Sequence, residues 1–267
     1  MVKNRYKNRV KERHDETAVA ENWHCMQCGA ENRAPQTGCT ACGTPRFTLD
    51  DEFGKKSVYS VLPLYFVLLF AIIYINLAEP GGSGWRGELW AALIFAGITL
   101  AFVFFDLRDF SKYIFPSRFR WRVFLPVLLL APLFSFTVTQ SANWVNHTFF
   151  SGYATRIDRY ADAPQPLLYA VLLTAVFPAV FEELAFRGVI FSRGRGAFSL
   201  RQTVWVSSVL FTFLHLSYIS FVWVFPFAWV LGWLRARYRT TFYGMCIHFL
   251  HNFTAVLLAH YGYDNFL

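Results

Sequence analysis

Three short strings place reactive side chains inside apolar sequence: Glu182-Glu183-x3-Arg187, Phe211-x3-His215 and His248-x3-Asn252. Ionisable groups at membrane depth are costly and tend to be functional. Glu183 and Arg187 stand four residues apart, so on a helix they share a face and pair. Glu182 lies about 100° further round and has no local cation. Pro178, four residues before Glu182, removes a helical hydrogen bond and is expected to kink the chain beside the carboxylate. The plainer reading of this group is a buried ion-pair network that only orients its helix, but one arginine cannot neutralise two carboxylates. His215 is the only ionisable residue of 203–217, and a lone histidine beside aromatics is more often a hydrogen-bonded core residue than a catalyst. His248 and Asn252 share a face, with His251 one position round; interhelical hydrogen bonding is their plainer role.

Depth links the three groups. At 1.5 Å per residue, Glu182, His248, Asn252 and His215 fall about 10 to 18 Å from the cytoplasmic ends of their segments. One slab of four costly groups predicts a shared, water-containing cavity that opens toward the cytoplasm. A carboxylate and an imidazole converging on water perform general acid/base hydrolysis. A second imidazole and a carboxamide then donate to the oxyanion, and no Ser or Cys nucleophile is needed. Glu and His ligands also suit Zn²⁺, although H-E-x-x-H is absent from the sequence.

The elements that must position these residues are apolar helices. The 267 residues are 55% hydrophobic, 19% aromatic and 16% charged, whereas a soluble domain is about a quarter charged, which excludes an ordinary globular enzyme. Seven apolar stretches, 58–78, 87–105, 123–145, 166–191, 203–217, 219–234 and 241–259, predict an all-α integral membrane protein of about seven transmembrane helices. Residues 203–234 read either as two spans or as one kinked element. With seven spans, 21 of the 25 basic residues fall on the side of the N-terminus and only Arg86, Arg156 and Arg159 on the other. That bias predicts a cytoplasmic N-terminus and a C-terminus on the opposite side. It also accounts for the net charge of +8 without a nucleic-acid partner. No cleavable signal peptide is expected, since no apolar core follows the basic start.

The polar head divides into a basic tail (1–20), a finger (21–45) and a linker (46–57), followed by N-terminal transmembrane helices (58–145) and a catalytic core (146–267). Cys25, Cys28, Cys39 and Cys42 form two C-x-x-C pairs with ten residues between them, which suits one structural Zn²⁺ in a small zinc-ribbon-like finger. A reducing compartment favours metal over disulfide. The string Trp23-x-Cys25-x2-Cys28-x3-Asn32-x6-Cys39-x2-Cys42 resembles the Ran-binding-protein class of zinc finger. That resemblance implies binding of single-stranded RNA or ubiquitin. Gly29-Ala30 stands where ubiquitin-binding members carry Thr-Phe, and Trp23 has few aromatic companions for stacking bases. Docking of a protein partner, or simple stabilisation, is expected of the finger ahead of RNA binding.

Taken in order, the three strings of the core resemble the motifs of the CAAX protease and bacteriocin-processing (Abi) family. The resemblance implies an intramembrane glutamate endopeptidase. By it, Glu182 and His215 activate water, His248 and Asn252 form the oxyanion site, and Glu183, Arg187 and Phe211 support them. It further implies a membrane-embedded or lipidated peptide or protein substrate, with a prenylated C-terminus as one option, and no certain cofactor at the catalytic site. The rival readings are a non-enzymatic membrane adaptor or bacteriocin-immunity protein, and an intramembrane zinc protease.

Overall fold

A computed structural model describes residues 22–25, 30–33, 36, 38–41, 43–44, 46, 52–78, 84–105, 114–116, 119–149, 156–216 and 218–262. Cys28, Cys42 and the basic tail lie outside the described residues. The chain divides into two compact units, one of residues 1–60 with 192–203 and one of residues 61–191 with 204–267.

Among the described residues the apolar sequence folds into seven long helices: α1 (Glu52–Ala78), α2 (Gly84–Phe105), α3 (Trp121–Phe149), α4 (Pro166–Gly194), α5 (Leu200–Phe213), α6 (Tyr218–Tyr238) and α7 (Phe242–His260). The all-α membrane architecture read from the sequence is therefore present. Five of the seven, α1 to α4 and α7, are long and apolar enough to cross a membrane. With 14 residues, α5 extends about 21 Å, short of the ~30 Å hydrocarbon core. Residues 203–234 form two elements. The chain turns after Phe213, and Leu216 adopts φ +48°, a left-handed conformation that a leucine cannot continue into a helix.

The first unit contains the finger. β1 (Trp23–His24) pairs antiparallel with β2 (Glu31–Asn32), Trp23 opposite Asn32. Each cysteine pair opens on the same hydrogen bond: Cys25 N–H donates to the Ala30 carbonyl (2.9 Å) and Cys39 N–H to that of Thr44 (2.7 Å). Gly43, at φ +76°, closes the second turn by donating to the Cys39 carbonyl, a backbone conformation that glycine adopts without steric cost. Asn32 is buried and joins the two halves, because its Oδ1 accepts from both Thr40 N–H (2.8 Å) and Thr40 Oγ1 (3.1 Å). Trp23 is held within the finger, donating Nε1–H to the Gln36 carbonyl. Arg195, just beyond α4, donates to the Gly43 carbonyl (3.1 Å), and burial pushes its guanidinium down to about 10.

The second unit packs α1, α2, α4, α5 and α6 around one apolar cluster, while α7 lies against α3 and α4. Val61, Leu64, Leu68 and Val103 fill the half nearer the start of α1 together with Phe186 of α4. Ala71, Gly87, Ala91 and Ala92 occupy the other half and leave space.

Candidate active site

Glu183 is the hub of the polar cluster. Its carboxylate is completely buried; Oε1 forms an ion pair with Arg187 Nη1 (3.0 Å) and contacts His248 Nδ1 (3.3 Å). The four-residue spacing read from the sequence thus produces the expected pair. Arg187 is also buried; it donates through Nη2 to the Ala228 carbonyl of α6 (2.9 Å) and lies 4.4 Å over the Phe211 ring. Phe211 in turn packs edge-on against His248 and tilted against His215. His248 is held edge-on by Phe227 on its other flank. One imidazole is thus fixed by a carboxylate at Nδ1 and by two aromatic rings, and its Nε2 stands 3.8 Å from Glu182 Oε2. That distance is longer than a hydrogen bond.

The helix that carries the carboxylates is not a regular α-helix. Its hydrogen bonds are of the wider i→i+5 type over Val171–Val176, Pro178–Glu182 and Leu184–Ile190, an arrangement frequent at functional sites. Pro178 is the local cause on the N-terminal side. A residue at this position would donate its N–H to a carbonyl one turn earlier, that of Leu173 or Thr174, and proline has none. Asn252 of α7 takes that place, donating Nδ2–H to the Thr174 carbonyl at 2.9 Å. In a membrane interior an orphaned carbonyl costs several kcal/mol, so this bond holds α7 to α4. The kink expected from Pro178 is therefore a rewound helix stitched to its neighbour, and one N–H of the Asn252 amide is committed to the stitch.

Glu182 is the less buried of the two carboxylates, with a quarter of its side chain exposed. It stands where two cavities meet. The smaller, about 110 Å³, is lined by Glu182, Phe186, Phe211 and His215 among others, so Glu182 and His215 face one space. The larger, about 340 Å³, runs from Glu182 between α1, α2 and α4 to Glu88 and Arg159. His215 itself is exposed at the end of α5, and its Nδ1 contacts the Phe211 carbonyl at 3.1 Å. Such a bond fixes the ring and its tautomer.

Of the four groups expected to share one space, the smaller cavity is lined by Glu182 and His215 and the larger by Glu182 alone; neither lining includes His248 or Asn252. The lining of the larger cavity extends to the ends of α1 and α2 where Asn76, Glu88 and Arg159 stand. Beside Ile72, Ile75 and Phe95, the small side chains of Ala71 on α1 and of Gly87, Ala91 and Ala92 on α2 leave that space.

Sequence reasoning missed three contributors. Gly244 of α7 lies so close to Glu183 that a Cβ there would stand 2.7 Å from Oε2. Arg235 entered only the count of basic residues on the side of the N-terminus; it is buried, donates Nε–H to the Arg187 carbonyl (2.9 Å) and lies over Phe191. Thr174 is the third. The only available signal was indirect, a proline four residues after a threonine and a small residue in α7. Among the described residues no group of three or more His, Cys, Asp or Glu is arranged to hold a metal ion.

A family model described as Type II CAAX prenyl endopeptidase Rce1-like matches residues 164–254. This segment runs from just before α4 to just past Asn252 and contains all three polar strings. It is less than half of the chain, and the finger and α1 to α3 lie outside it. The match supports intramembrane CAAX-type proteolysis in general. No curated protein and no solved structure matches the chain.

Proposed function

We propose that the protein is an intramembrane endopeptidase that hydrolyses a peptide bond of a membrane-embedded or lipidated substrate with water activated by Glu182 and His215. The observation that carries this reading is the position of Glu182, partly exposed at the junction of two cavities, facing His215 across one of them and 3.8 Å from His248 Nε2. Space of about 110 Å³ admits a few waters at ~30 Å³ each. Glu182 takes a proton from water as its oxygen adds to the scissile carbonyl. The same proton passes to the departing amine when the C–N bond breaks. A His248 N–H and the second N–H of Asn252 donate to the oxyanion. Glu183 and Arg187 touch no substrate in this scheme; they hold His248.

The charge bias of the termini supports a cytoplasmic N-terminus. In the finger, Cys25, Cys28, Cys39 and Cys42 would hold one structural Zn²⁺. The repeated turn geometry at Cys25 and Cys39, with both side chains buried, supports this assignment. A protein partner is the ligand proposed for the finger.

The test compares Glu182→Gln with Glu183→Gln in lipid-reconstituted protein acting on a panel of prenylated and unprenylated membrane-anchored peptides. E182Q is expected to lose turnover while changing thermal stability little, since its side chain is partly solvated. E183Q strands the buried Arg187 charge and should lose about 3–5 kcal/mol. Full turnover by E182Q would refute the mechanism and favour the non-enzymatic adaptor.

A further inference from the structure

We propose that the finger acts within its own chain as a clamp on the start of α5, with Gly38, Gly43 and Arg195 as positioning residues for His215. The inference goes beyond the endopeptidase reading above, but rests on it for the role of His215 and on the zinc assignment for the finger.

The first N–H groups of a helix have no partner within it, and α5 meets this need in two ways. Ser199 and Gln202 form a reciprocal pair, Ser199 N–H donating to Gln202 Oε1 (2.9 Å) and Gln202 N–H to Ser199 Oγ (3.3 Å). Leu200 N–H instead donates to the Gly43 carbonyl of the finger at 3.2 Å. The same carbonyl accepts from Arg195 Nη2 (3.1 Å), and Arg195 Nη1 donates to the Phe198 carbonyl just before the helix (2.6 Å). One carbonyl of the second cysteine turn thus ties down both ends of the segment that joins α4 to α5.

The finger offers this segment an edge without side chains. Gly38 and Gly43 stand on either side of Cys39; a Cβ at Gly38 would collide with the Arg195 guanidinium, and one at Gly43 would stand 2.9 Å from Leu200 Cβ. Gly43 also needs its φ of +76°. Gly38 has no such requirement, so there the approach of Arg195 alone excludes a side chain. Gly43 bonds the Cys39 carbonyl through its own N–H (2.9 Å), which refers the clamp to a thiolate assigned to zinc.

The helix carries the constraint to the site. Residues 200–203 of α5 group with the finger and the remainder with the other unit. Phe211 lies in its last turn and His215 just beyond, with His215 N–H donating to the Thr212 carbonyl (3.1 Å) and Nδ1 meeting that of Phe211. The imidazole therefore follows the end of α5. At 14 residues this helix has the length at which isolated helices are marginal, so how its first turn is held matters to its last.

The test uses the full chain in phosphatidylcholine vesicles, zinc-loaded or stripped with a chelator. Amide hydrogen exchange over the first turn of α5 is read beside cleavage of a prenylated membrane-anchored peptide. Arg195→Ala and Leu200→Pro break the clamp without touching a cysteine, and proline suits the first position of a helix while lacking the donor. Both are expected to keep their zinc, to exchange about tenfold faster, as loss of one hydrogen bond implies, and to lose kcat with KM unchanged. Gly38→Ala should act as R195A does, and Arg195→Lys should restore part of the loss. Stripping zinc should reproduce the effect in wild type and add little in R195A. Unchanged exchange in R195A and in zinc-free wild type would overturn the clamp. Faster exchange with kcat unchanged would overturn the positioning role. Cleavage of no peptide by wild type would overturn the endopeptidase reading and the link to His215, whereas zinc-dependent exchange still distinguishes the clamp from its absence.

Discussion

Replacing Gly244 with alanine tests whether the Glu183 hub is as closely packed as its geometry indicates. The added Cβ would stand 2.7 Å from Glu183 Oε2, where ordinary contact begins at 3.4 Å, so about 0.7 Å must be found. Glu183 has no freedom to supply it, being fully buried with Oε1 held by Arg187 and His248. Forcing an extra methyl into such packing costs about 1–3 kcal/mol. Glycine to alanine inside a helix returns about 0.5–1 kcal/mol, which leaves a net loss centred on about 1 kcal/mol and reaching about 2.5 kcal/mol. Should the carboxylate swing away and abandon both partners, the loss rises to about 3–5 kcal/mol. Thermal unfolding of the purified protein in detergent should show a Tm lowered by about 2–4 °C for each kcal/mol, with turnover reduced because His248 loses its orientation. A double-mutant cycle isolates the contact: with Glu183→Ala already present the oxygen is gone, and Gly244→Ala should become neutral or stabilising. Unchanged Tm and turnover in G244A, or strict additivity in the cycle, would refute the reasoning.

Two other predictions concern the stitch and the finger. Asn252→Ala orphans the Thr174 carbonyl and should cost about 1–3 kcal/mol; Pro178→Ala restores a backbone N–H four residues on, so P178A/N252A should recover stability but not turnover. Recovery of both, or of neither, would show that the Pro178–Thr174–Asn252 relation is misjudged. Metal analysis of the full chain is expected to find one zinc, lost in Cys39→Ser together with a change in Trp23 emission, since Trp23 is tied to the finger through Gln36; a zinc content unaffected by C39S would sink the assignment.

Much of the site was legible because its chemistry is local. Glu183 and Arg187, or Phe211 and His215, meet because residues four apart share a helix face, and the observed 3.0 Å pair and 5.0 Å ring contact follow from that. The segments themselves were legible because crossing a membrane requires long apolar runs, and α1 to α4 and α7 satisfy that requirement. Glu182 stood out for want of a local cation, and it is indeed the carboxylate left partly exposed at a cavity.

The sequence by itself determined which residues are polar in an apolar background, and which of them pair along one helix. Only the tertiary structure decided that His248 turns its Nδ1 to Glu183 rather than to Glu182, that Asn252 replaces the donor missing at Pro178, and that Arg235 is buried against α4. It also decided that the larger cavity extends toward Arg159. These outcomes depend on which helix faces meet and on where small residues leave space. Such relations arise between segments distant in sequence, where spacing along the chain carries no information and packing carries all of it.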